Sequence, residues 1–168
     1  MTPILTERSF DVISHSASQT FRIGECLGGM LQSGDVICLQ GNLGMGKTCF
    51  TQGIGRGLAV EGVINSPTFV YISEHAPSRS GPYLYHVDLY RIQDYTDAFA
   101  LGLEEYMYGD GVTVIEWAER AQEIIPSERL WVTLDYLDYT KRSLIFEATG
   151  DRYLALLKKL RTAVFGAS

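Results

Sequence analysis

The segment LQGNLGMGKTCF, residues 39–50, sets three glycines within six positions and follows the last with a lysine and a threonine. Glycine has the most backbone freedom to lose on folding and weakens helices and strands alike, so such a cluster needs a compensating role. Gly41, Gly46, Lys47 and Thr48 match the pattern G-x-x-x-x-G-K-[ST]. The spacing has a physical basis. Glycines let the chain curl until successive backbone N–H groups converge on one anion. A helix that begins at the loop adds the positive end of its dipole. Lys47 can then reach the outer phosphates of a nucleotide, and the Thr48 hydroxyl can ligate the magnesium that bridges them. The expected binding stretch is Gly41, Asn42, Leu43, Gly44, Met45, Gly46, Lys47, Thr48 and Cys49, with a nucleoside triphosphate and Mg2+ as its ligands.

The flanks agree with this reading. Residues 35–40, DVICLQ, form a short apolar, β-branched run of the kind buried on both faces of a parallel sheet. A helical pattern follows from 47 to about 58. Gly53, Gly55 and Gly57 make it intrinsically poor, so packing on the sheet is expected to hold it. Upstream, ERSFDVIS (7–14) reads as a strand. Ser16 and Gln19 have capping-box spacing and open a helix to about residue 31. Downstream, residues 62–75 read as a loop opening into a strand, and APSRSGP (76–82) as a loop. YLYHVDLYRI (83–92) alternates like a strand that ends near Asp88. A helix is expected over 94–101, a strand over VTVIEWA ending near Glu116, and a helix over ERAQEII stopped by Pro126. LWVTLDYL and RSLIFEAT form a hairpin, and residues 151–164 a closing amphipathic helix. The expected fold is α/β: a P-loop NTPase-like three-layer arrangement with a mostly parallel central sheet and antiparallel edge strands, in one domain over 1–168.

A phosphate loop needs acidic partners at neighbouring strand ends. Asp88 ends the run YLYHV, and this fold class binds ligands beyond the carboxyl ends of its strands. Many such ATPases place a glutamate directly after the magnesium aspartate, but Leu89 stands there. Glu116, after the apolar VTVI, is the alternative. It can contact magnesium, directly or through water, or position the attacking nucleophile. Thr68, in SPTF, lies where switch threonines approach the last phosphate, although Ser-Pro-Thr is also a common turn. His86 shares a strand face with Asp88 and reads as a structural histidine. Arg91 can pair with phosphate, with a partner's carboxylate or with solvent. Lys158, Lys159 and Arg161 read as the wet face of the last helix. No N-K-x-D guanine signature follows the site, which favours adenine.

The totals narrow the class. A net charge of -6 opposes broad binding to a nucleic-acid backbone. No apolar stretch approaches the ~20 residues of a membrane span, and the first residues do not read as a signal peptide. Cys26, Cys38 and Cys49 lack C-x-x-C spacing and read as free thiols of a reducing cytoplasm.

Four segments taken together, GNLGMGKT, SPTF, HVDLYR and IEWAER in this order and spacing, resemble the TsaE (YjeE) family of small bacterial ATPases of tRNA threonylcarbamoyladenosine synthesis. SHSASQTFRIGECLGGML and GLEEY are similar to it as well, so the resemblance runs from about Ser14 to Leu134. The C-terminal hairpin and helix match no motif of the family. The resemblance implies ATP and Mg2+ as cofactors, Lys47 on phosphate, and Thr48, Asp88 and Glu116 at magnesium. It places Trp117 beside the acidic switch residue, makes Thr68 the switch threonine, and sets a nucleotide contact near Thr20. Lys47, Asp88 and Glu116 are the residues it makes catalytic. Asn42 stands where the family usually has aspartate, and Met45 where it has a small residue; tuned affinity is the expected consequence. The family's role implies slow ATP hydrolysis in support of the TsaD and TsaB proteins, with tRNA met through that complex. A small-molecule kinase and a non-hydrolysing nucleotide switch are the alternatives.

Overall fold

A computed structural model describes residues 6–65 and 71–166 of the chain. Seven strands form one sheet: β1 Ser9–Ser14, β2 Val36–Gln40, β3 Ile72–His75, β4 Leu84–Asp88, β5 Val112–Glu116, β6 Arg129–Tyr136 and β7 Arg142–Thr149. Their spatial order is β1-β7-β6-β2-β5-β4-β3. The central four, β6, β2, β5 and β4, are mutually parallel. β7 is antiparallel to both β6 and β1, and β3 is antiparallel to β4. This is the mostly parallel α/β sheet with antiparallel edges that the sequence predicts.

Helices cover both faces. α1 Ala17–Gly28, α2 Lys47–Gly57 and α5 Asp151–Phe165 bury Leu27, Phe50, Ile54, Leu156 and Leu160 against Ile37, Leu39, Val114 and Phe146. On the other face, α3 Tyr95–Ala100, α4 Leu103–Met107 and a 3₁₀ helix, Ala118–Ile124, cover Val36, Cys38, Val87 and Ile115. Central strands sit between two apolar layers, so β2 and β5 are buried almost throughout. β1 and β7 alternate instead, because only one of their faces meets a helix layer.

α1 starts where its cap dictates. The Ser16 hydroxyl accepts from the Gln19 N–H at 3.1 Å, and the Gln19 side chain reaches back to the His15 N–H at 2.7 Å. The reciprocal bond thus lands one residue before the cap position of a standard capping box.

Three expectations need refinement. Gly53 and Gly57 of α2 serve packing on α1, and only Gly55 faces the sheet side, against Leu84 of β4 with Ile64 and Val60. A Cβ at Gly53 would lie 2.1 Å from the Phe21 carbonyl oxygen, and one at Gly57 2.2 Å from that of Glu25. Gly28 of α1 meets Ile54 in the same way. Only hydrogen fits where two helix backbones come this close. Second, the helix expected over ERAQEII is present but is a kinked 3₁₀ helix over residues 118–124, with Ala121 off helical geometry. Third, Arg161 is not wholly wet: its guanidinium bonds the carbonyls of Thr6 and Ser9 and lies over the Phe10 ring. Lys158 and Lys159 are exposed as expected.

Candidate active site at the glycine loop

β2 runs into the loop, and the loop runs into α2. Gly46 caps α2 with φ of 103°, and Gly44 has φ of 78°. Both angles lie in the left-handed region that side chains avoid. The first turn of α2 follows, where backbone N–H groups lack intrahelical partners. Lys47, buried, turns its ammonium back onto the Gly41 and Asn42 carbonyls, the latter at 2.9 Å, and lies 4.3 Å from the centre of the Trp117 ring. Burial pulls its pKa below the ordinary value, while Glu116, Glu119 and Asp88 push it up.

Strand register brings the carboxylates to this point. Leu39 of β2 pairs with Glu116 of β5, and Glu116 pairs with Asp88 of β4. Both acids therefore end adjacent parallel strands at the edge where the loop begins. Glu116 is 2% exposed. Its Oε1 accepts from the Thr48 hydroxyl at 3.0 Å, and its Oε2 lies 2.5 Å from His86 Nε2. Asp88 Oδ1 accepts from the Tyr90 N–H at 2.9 Å. Burial raises the Asp88 pKa above the usual carboxylate range, with Glu116 adding to the rise; the Tyr90 N–H, His86 and Lys47 oppose it.

At Asp88 burial outweighs the nearby positive charge of Lys47, and Thr48, Glu116 and Asp88 offer only oxygen donors. That set suits a hard cation such as Mg2+, which keeps several waters and takes one or two carboxylates with substrate phosphates. Among the described residues, no three His, Cys, Asp or Glu side chains form a metal site by themselves. Phosphate oxygens would have to complete the shell.

Beside the loop lies a cavity of about 360 Å3 walled by Ser16, Thr20, Gly46, Cys49, Tyr139 and Arg142, among others. Thr20 is buried there, its hydroxyl 2.7 Å from that of Ser14. Gly44 and Met45 also line the cavity, whereas Asn42 and Leu43 are exposed at the loop tip. Trp117 has a left-handed backbone, φ 60° and ψ 39°, which a bulky residue adopts only under tertiary constraint. That turn carries its ring to Lys47. Arg91 is exposed, and Thr68 lies outside the described residues.

The motifs of the sequence give neither Arg120 nor the partner of His86. Arg120 donates to the Tyr90 and Ile92 carbonyls and lies over the Tyr90 and Trp117 rings, tying the segment after β4 to the 3₁₀ helix. His86 was read as a structural histidine; its partner is Glu116, inside the site. For both, the signal is a strand register that one sequence does not contain.

The family model for threonylcarbamoyl adenosine biosynthesis protein TsaE matches residues 14–144. The chain belongs to the TsaE family. It is 39% identical over 142 residues to the Bacillus subtilis tRNA threonylcarbamoyladenosine biosynthesis protein TsaE, covering 84% of this chain and 87% of that protein. To the TsaE protein of Treponema pallidum it is 40% identical over 125 residues, covering 74% and 90%. The crystal structure of Bacillus subtilis YdiB superposes with a TM-score of 0.79 at 32% identity, over 93% of this chain and 96% of that one. The matched region of the TsaE model spans the loop, both strand-end acids and the hairpin up to β7.

Proposed function

We propose that this chain binds ATP with Mg2+ at the glycine loop and hydrolyses it slowly, as a single-domain cytoplasmic subunit of tRNA threonylcarbamoyladenosine formation that acts with TsaD and TsaB. The observation that carries the site is the contact between Thr48, first-turn residue of α2, and Glu116 at the end of β5. It joins a loop built for phosphates to an acidic residue suited to a metal or a water. Membership of the TsaE family supports the pathway. A net charge of -6 supports tRNA contact through the partners, not through this chain.

In this reading the loop backbone and Lys47 hold the phosphates, with Lys47 leaving the Gly41 and Asn42 carbonyls to do so. Thr48, Asp88 and Glu116 would hold the cation, which when bound would neutralise charge on the phosphates. Glu116 also orients the attacking water. The cavity beside Thr20 receives the nucleoside, with Cys49 and Met45 in its wall. Trp117 covers Lys47.

Titration calorimetry with MgATP tests the binding half. Lys47→Ala is expected to weaken ATP on the order of 10–100-fold, as loss of charge-assisted hydrogen bonds to phosphate should. Equal affinity in the variant would contradict the reading.

A further inference from the structure

His86 is fully buried on β4 and faces α2 with Asp88 and Glu116. Its Nε2 is 2.5 Å from Glu116 Oε2. Its Nδ1 is buried and has no hydrogen-bond partner among the described residues. A proton on Nδ1 would be a buried donor without an acceptor, at a cost of about 1–3 kcal/mol. That cost favours the tautomer with its proton on Nε2, donated to Glu116. The carboxylate is then held from two sides: Oε2 takes the His86 N–H, and the Thr48 hydroxyl lies nearer to Oε1, at 3.0 Å, than to Oε2, at 3.3 Å.

We propose that His86 is a positioning residue, which fixes the Glu116 carboxylate so that Oε1 faces Thr48 and the phosphate side of the loop. The proposal rests on the ATPase reading for its kinetic consequence, though not for the hydrogen bond itself. A carboxylate anchored through one oxygen has one rotamer to offer a cation or a water; without the anchor it can rotate away. An outer partner of this kind typically changes metal affinity or activity by 10–100-fold. Nucleotide binding by the loop does not pass through His86, so the effect falls on turnover.

Two measurements test this. In the first, ring 15N–1H correlation spectra are recorded on the nucleotide-free protein, whose three histidines are His15, His75 and His86. His86→Gln assigns the His86 signals by their loss. The expected result is an Nε2–H tautomer with a slowly exchanging proton whose shift changes in Glu116→Gln. An Nδ1–H tautomer, or signals unmoved by Glu116→Gln, overturns the proposal.

The second measures steady-state ATP turnover and melting temperature. His86→Leu, which has no donor, is expected to lower kcat about 10–100-fold with KM for ATP within about twofold. His86→Gln, whose amide N–H can replace Nε2–H, is expected to recover most of that loss. Wild-type kcat in His86→Leu, or equal losses in two folded variants, overturns the positioning role. A wild-type protein that turns over no ATP would sink the ATPase reading instead, and the spectra would then decide the His86–Glu116 bond alone. The spectra also decide it if His86→Leu fails to fold.

Discussion

Lys47 sits among Glu116, Glu119 and Asp88 with its ammonium on loop carbonyls and an indole face. Lys47 and Thr48 are legible in the sequence because the loop motif is local: eight consecutive residues carry all of its chemistry. Asp88 and Glu116 are legible one step further out, since each ends an apolar run and this fold gathers strand ends. His86 and Arg120 are not, because their partners, Glu116 and the Tyr90 carbonyl, depend on how β4 and β5 align. Arg120 offers a residue-scale test independent of nucleotide. Arg120→Ala removes two hydrogen bonds to backbone and two ring contacts, and should lower unfolding free energy by about 1–2 kcal/mol in urea titration. An unchanged midpoint and slope would contradict that role.

Helices α1 and α2 meet through glycine, so packing holds α2 as its composition implies, but part of that packing is on α1. Gly53, Gly55 and Gly57 signal a weak helix but do not say which surface needs the missing side chains. The contacts assign Gly53 and Gly57 to α1, whereas Gly55 faces Ile64, Val60 and Leu84. Gly53→Ala should therefore destabilise the protein by about 1–3 kcal/mol through overpacking against backbone, despite alanine's better helix propensity. Gly29, at the end of α1 with φ of -65°, has nothing closer than 3.7 Å to an added Cβ. Gly29→Ala should be neutral or stabilising. Thermal denaturation of the two variants checks the contrast, and equal melting temperatures would refute it. The 3₁₀ helix was hidden for another reason. ERAQEII has ordinary helical residues, but Trp117 enters in a left-handed conformation and Ala121 leaves helical geometry, neither of which the residue types announce.

The whole molecule is closed by its C-terminal helix, which carries no motif and whose job sequence reading left open. Arg152 makes a two-pronged pair with Asp35, at 3.0 and 2.7 Å, and bonds the Met30 carbonyl. Next to it, the Tyr153 hydroxyl accepts from the Val36 N–H at 2.8 Å. Together they dock α5 on the start of β2, the strand that leads to the glycine loop. Burial pushes the Tyr153 pKa up to about 12, above its ordinary value of about 10. The folded value exceeds the unfolded one, so the protonated phenol's contribution is complete below about pH 10 and is lost as pH rises through about 12. Tyr153→Phe should cost about 1–3 kcal/mol at neutral pH, by leaving the Val36 N–H unpaired, and should flatten the alkaline loss of stability. Urea titrations from pH 8 to 12 check this; parallel pH profiles for variant and wild type would contradict it. The sheet order, with β2 flanked by parallel β5 and β6, was foreseeable only in class, because pairing between distant strands leaves little trace in one chain. That architecture brings together the proposed nucleotide site, whose proposed work is done for other proteins. The most direct measurement is ATP turnover with Mg2+, alone and with the TsaB–TsaD pair from the same source, using Lys47→Ala as the blank. The account predicts slow turnover that the pair stimulates and the variant lacks; equal rates with and without the pair, or no turnover in either case, would contradict it.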